Sequence, residues 1–68
     1  MINVFPTGKL LFTWYGGSSH TIEVYATCDD FLNGKAPIDC FSLDYSKDFL
    51  NIDKDVIPAI KSYLKNVQ

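Results

Sequence analysis

The chain has 68 residues and a formal net charge of −2, with five phenylalanines, four tyrosines and one tryptophan. That is one domain near the lower limit for folding without staples, since so short a chain hides only about 60% of its unfolded surface, and its apolar content excludes a disordered segment. All six basic residues are lysines, so the planar fork that reads phosphate and guanine is missing, which counts against ordinary nucleic-acid binding.

Residues 2–28 read as a three-stranded antiparallel meander with one apolar face. Strand one covers residues 2–5. Pro6-Thr7-Gly8 is expected as a three-residue turn, with Pro6 pre-setting it and Gly8 closing it. Strand two covers residues 9–15, and Gly17-Ser18-Ser19 is the second turn, made permissive by Gly16 and Gly17. Strand three runs over residues 20–28, rich in β-branched and aromatic side chains. This register pairs Val4 with Leu10 and Ile2 with Phe12, then Trp14 with Ile22, Phe12 with Val24 and Leu10 with Ala26. Ile2, Val4, Phe12, Trp14 and Val24 then face inward. A slip of one residue at either turn would send half of them to solvent.

Residues 29–37 are irregular, with Asp29 or Asp30 as the cap of a single helical turn and Asn33-Gly34 as its stop. Strand four is placed at residues 38–44, with Phe41 and Leu43 inward and aspartates that suit a sheet edge. Ile57, Ile60, Leu64 and Val67 fall at i, i+3, i+7 and i+10, with Val56 and Tyr63 beside them, which predicts an amphipathic C-terminal helix of about 12 residues. Pro58 fits only in its first turn, which favours Asp55 as the cap. Lys61 and Lys65 lie near its end, where the helix dipole favours positive charge. The expected fold is α+β over residues 1–68 as one domain: a four-stranded, mainly antiparallel β-meander with one C-terminal α-helix packed on one face (ββββα).

Charge is unevenly spread along this order. Residues 28–55 hold seven aspartates against Lys35, Lys47 and Lys54, a net −4, while residues 56–68 hold only Lys61 and Lys65, a net +2. No apolar run approaches the roughly 20 residues needed to span a bilayer, and the first residues carry no basic n-region followed by an apolar stretch. We therefore expect a cytoplasmic chain with no membrane contact. Its two cysteines are then free thiols, with Cys28 continuing the inward face of strand three and Cys40 facing away from it.

Catalytic and metal-binding patterns are weak throughout. His20, the only histidine, lies beside Ser18 and Ser19 but lacks a nucleophile elbow and an orienting acid. Cys28, Cys40 and His20 are scattered, with no paired spacing of the kind zinc requires. The stretch Asn51-Ile52-Asp53-Lys54-Asp55 begins like a calcium loop, yet the sixth place is Val56 where Gly is needed and the twelfth is Ser62 where Glu is needed. The pairs Asp29/Asp30 and Asp44/Asp48 have no pocket in view to perturb them. We read the chain as non-enzymatic, without cofactor or metal.

Two surfaces are left as binding candidates. The sheet face away from the helix is expected to expose Phe5, Leu11, Tyr15 and Tyr25 among threonines and Glu23, and tyrosine-bearing patches of this kind are enriched at interfaces. The acidic span from 29 to 55, with Phe31, Tyr45 and Phe49 interspersed, would complement a basic surface and steer association. The leading expectation is a non-catalytic protein-interaction module that inhibits or regulates a larger enzyme, a format common among phages and other mobile elements. Tyr15 and Tyr25 are its anchors, and Asp29, Asp30, Asp39, Asp44 and Asp48 supply the charge for a partner protein with a basic surface. Two other readings use the same tyrosines. Single-stranded nucleic acid would stack on Tyr15, Tyr25 and Phe5, or a homodimer would bury the tyrosine face.

Overall fold

Gly8 determines how the first strands pair. It adopts φ 54°, while among the described residues none other than glycine has a positive φ, so Gly8 and Lys9 form a two-residue reversal of the II′ kind, whose twist matches the flanking strands. The computed structural model describes residues 1–67. The side chain of Val67, counted in the expected helix stripe, lies outside the described part. Strands β1 (Asn3–Thr7) and β2 (Leu10–Trp14) pair Thr7 with Leu10, Phe5 with Phe12 and Asn3 with Trp14. This corrects the register expected from a Pro6-Thr7-Gly8 turn. Val4 lies opposite Thr13, not Leu10, and the three-residue shift inverts the faces of β1. Phe5 therefore packs against the core, and Val4, expected inside, is 48% exposed. Pro6, which donates no amide hydrogen, sits in an edge strand, where a sheet tolerates it.

The second hairpin has the expected register. Strand β3 (Thr21–Tyr25) pairs Leu11 with Tyr25, Phe12 with Val24 and Thr13 with Glu23. Gly16 and Gly17 both take positive φ in the connecting turn, which is closed by the Ser19 amide donating to Gly16 O at 3.0 Å. Strand β4 (Asp39–Ser42) adds on the far side of β3, giving a four-stranded antiparallel sheet in the order β1-β2-β3-β4.

Between β3 and β4 lies the short helix α1 (Cys28–Leu32). Its cap is Thr27, whose hydroxyl accepts from the Asp30 amide at 3.1 Å, and not Asp29 or Asp30. It ends as expected at Asn33-Gly34. Gly34 has φ 76°, the Lys35 amide donates to Asp30 O and the Gly34 amide to Phe31 O, the two bonds of a Schellman motif.

Asn51, not Asp55, caps the C-terminal helical run. The Asn51 side-chain oxygen accepts from the Asp53 and Lys54 amides, and Asp55 Oδ2 accepts from the Asn51 amide. This is a reciprocal cap with the acid one place later than in an ordinary capping box. The extra place belongs to a wide π-turn over Ile52–Val56, followed by α2 (Ile57–Val67). A proline ring crowds the carbonyl four residues before it, here Lys54. A wide turn directly before Pro58 loosens the backbone where that crowding falls.

Phe12, Trp14, Ile22, Val24, Leu43, Leu50, Val56 and Ile60 form the core between the sheet and α2, with Phe5, Leu10, Phe41, Tyr63 and Leu64 around it. Burying each large side chain fully stabilises the fold by about 1.5–3 kcal/mol before entropy is counted. The Trp14 indole nitrogen donates to Ser19 O at 2.8 Å, so its polar end is satisfied. Tyr63 stacks on Phe41 at 5.0 Å and meets Phe12 edge-on at 5.6 Å.

Candidate functional site

The tyrosine face is smaller than the sequence suggested, because α1 folds back over it. Phe31 packs edge-on against Tyr25 with ring centroids 5.1 Å apart. Leu11, Thr13 and Tyr25 on this face are all buried. Tyr25 is 7% exposed, so it is no anchor at an open surface, and this corrects its expected placement. Its burial, reinforced by the Glu23 carboxylate next to it, raises the hydroxyl above the ordinary tyrosine range. Tyr15 stays exposed at the end of β2. Of the aspartates expected to meet a partner, Asp29, Asp39, Asp44 and Asp48 are exposed and Asp30 is half-buried.

Several of these carboxylates have work inside the fold. Asp30 faces Lys35 at 3.9 Å. Asp39 accepts from the Cys40 amide at 2.8 Å and from the Tyr63 hydroxyl at 2.8 Å. Asp44 accepts from the Ser46 hydroxyl at 2.6 Å and the Ser46 amide at 2.9 Å, and these bonds hold it below the ordinary carboxylate range. Cys28 is exposed at the start of α1, not on the core face, and Cys40 is exposed on β4; both are free thiols.

What the chain brings together is the loop after β4 and the turn between β2 and β3. The Leu43 amide donates to His20 O at 2.7 Å and the Leu50 amide to Gly17 O at 3.1 Å, so both ends of the loop are tied to that turn. Between them, His20 Nε2 donates to Lys47 O at 2.7 Å. The Lys47 ammonium bonds Asp55, which raises the lysine's proton affinity and lowers that of the aspartate. Tyr45 stacks on His20 at 5.1 Å and shares a 3.0 Å hydrogen bond with the Ser42 hydroxyl.

The loop so held turns its aromatic side chains outward. Tyr45 is 70% exposed and Phe49 is 79% exposed. Phe49 lies over Gly17, where an added Cβ would stand 3.9 Å from the ring. Exposed Ile52 follows in the same span, with Asp44, Asp48 and Asp53 beside these residues in sequence. Tyr45 and Phe49 were visible in the sequence as aromatics inside an acidic stretch. The ties to Gly17 and His20, which lie some 27 residues away in the Lys47 case, were not.

Among the described residues no three His, Cys, Asp or Glu side chains gather as a metal site, and no helix is long and apolar enough to cross a membrane. Compared with protein-family models, curated proteins and solved structures, the chain has no significant match.

Proposed function

We propose that the chain is a non-catalytic protein-interaction module, a small acidic inhibitor or regulator of a larger enzyme. The observation that carries this reading is the ordered loop that holds Tyr45 and Phe49 in solvent. A mobile loop could tuck a phenylalanine away, whereas this one is fixed by backbone and side-chain bonds on both sides of the exposed rings. Docking onto a surface already in its bound shape avoids much of the ordering cost of association, and buried aromatics are the commonest anchors of such interfaces. The surrounding aspartates favour a partner with a basic surface.

The other two readings lose much of their support. Stacking of single-stranded nucleic acid required Tyr15, Tyr25 and Phe5 together, and of these only Tyr15 is exposed. A homodimer through the tyrosine face meets the same obstacle at Tyr25.

The test is a paired capture experiment. Wild-type protein and the double variant Tyr45→Ser/Phe49→Ser are immobilised and exposed to extract of the cells that make the protein. A partner retained by the wild type in stoichiometric amount and lost by the variant is expected. Equal retention by both would remove the loop from the interface, and no stoichiometric partner at all would count against the interaction reading.

A further inference from the structure

We propose that the sheet end framed by Gly17, His20, Tyr45 and Phe49 docks a protein segment that lays a lysine or arginine side chain on the Tyr45 and Phe49 rings. This rests on the interaction reading above and adds the chemistry of the occupant.

Three features of that end select a cation. First, both rings are open. His20 covers one side of Tyr45 and leaves the rest of a ring that is 70% exposed, while Gly17 carries no side chain to shield Phe49. An aromatic face attracts a cation placed within about 6 Å of its centre. Second, the exposed carboxylates of Asp44 and Asp48 directly precede Tyr45 and Phe49 in the chain, and Ser46 keeps Asp44 ionised. Third, Lys47, the one lysine between them, is committed to Asp55. Asp48 itself forms no ion pair among the described residues. An acidic segment would be repelled here, and a purely apolar one would strip water from a carboxylate without replacing it.

Panning phage-displayed random 12-residue peptides on the immobilised protein tests this directly. Selected peptides should be enriched in lysine and arginine over the starting library, and the best synthetic peptide should shift the amide resonances of Gly17, His20 and residues 45–49. Phe49→Ser and Asp48→Asn should each weaken it by about tenfold or more. Both positions are exposed, and circular dichroism with Trp14 fluorescence verifies that each variant is folded. Neutral or acidic peptides bound at the same residues would overturn the cationic occupant and leave the interaction reading standing. Resonance shifts elsewhere, unchanged affinity in Phe49→Ser, or no enriched peptide at all would overturn the surface itself. Concentration-dependent self-association lost in Phe49→Ser would assign the site to a second copy of the chain instead.

Discussion

Replacing Tyr63 with phenylalanine should isolate a polar link between α2 and the edge strand β4. The Tyr63 hydroxyl donates to Asp39 Oδ2 at 2.8 Å, while its ring stacks on Phe41 and meets Phe12 edge-on. Phenylalanine keeps those ring contacts, so the change in stability reports the hydroxyl alone. A hydrogen bond to a charged group is worth roughly 1.5–3 kcal/mol when well shielded, but Asp39 is exposed and water competes for it, which brings the expected loss to about 1 kcal/mol. In a domain of this size that corresponds to a fall in Tm of about 4–8 °C.

The pH dependence supplies a second, independent readout. The Asp39 hydrogen bond, then burial, then the Asp39 charge raise the Tyr63 pKa above the ordinary tyrosine range. The folded state therefore favours the neutral phenol. Its contribution is complete below about pH 10 and is lost as pH rises through the folded pKa. Urea unfolding followed by Trp14 fluorescence, at pH 7 and at steps from pH 8 to 11, should show Tyr63→Phe less stable at pH 7 and less sensitive to alkali. Tyr25 also has a raised pKa, so the alkaline loss shrinks without vanishing. A variant with the wild-type midpoint and the wild-type alkaline slope would refute the link, and a double-mutant cycle with Asp39→Asn would assign whatever coupling exists to this pair.

Gly8→Ala should cost about 1 kcal/mol in urea unfolding because of its positive φ, although open space surrounds the position; Pro6→Ala should cost less, and the reverse order would restore a proline-led turn. Thr13→Val should stabilise by about 1 kcal/mol, because the Thr13 hydroxyl is buried with no hydrogen-bond partner among the described residues; a loss of stability would mean that the hydroxyl is satisfied. Lys47 first, then the Asn51 amide, depresses the Asp55 pKa. Stability from that source is present above the unfolded pKa and disappears as pH falls through the lower folded value, so Asp55→Asn should flatten the acid arm of a thermal-melt series below about pH 4. Phe49→Ser should leave Tm within about 1 °C of wild type, as expected for an exposed side chain; a large drop would place Phe49 in the fold rather than at an interface.

The longer elements and their order were legible in the sequence because each of them has its own period. Alternation set β2 and β3 and fixed the inner face of their hairpin, and the 3.6-residue stripe set α2. The first hairpin was ambiguous for a specific reason. Phe5 and Val4 are both good strand residues, so either face of β1 could be apolar, and only the turn decided between them. Pro6 and Gly8 both carry turn chemistry. The left-handed backbone at Gly8 prevailed, since it closes a two-residue reversal that a right-handed strand twist favours. Caps were misplaced for a related reason. Several side chains near each helix start could accept the first amides, and the wide turn before Pro58 moved the start of the last helical run back to Asn51.

The candidate site was far less visible, and its chemistry explains why. Aspartates in a surface loop look alike in sequence whether they cap a turn, hold a lysine or stand free. The structure separates them: Asp44 serves Ser46, Asp55 serves Lys47 and Asn51, and Asp39 serves Tyr63, while Asp48 has no such bond among those described. The aromatics sort in the same way. Tyr25, read as exposed from its place on the strand, is covered by a short helix whose approach no period announces. Phe49 and Tyr45 lie in a stretch without any period, and long-range hydrogen bonds to one distant turn hold them outward. The side chains committed to the fold are held by near partners, as Asp44 is by Ser46, or by partners that only the tertiary fold brings close, as Asp39 is by Tyr63. The exposed ones without an internal partner are recognised only once every committed group has been accounted for.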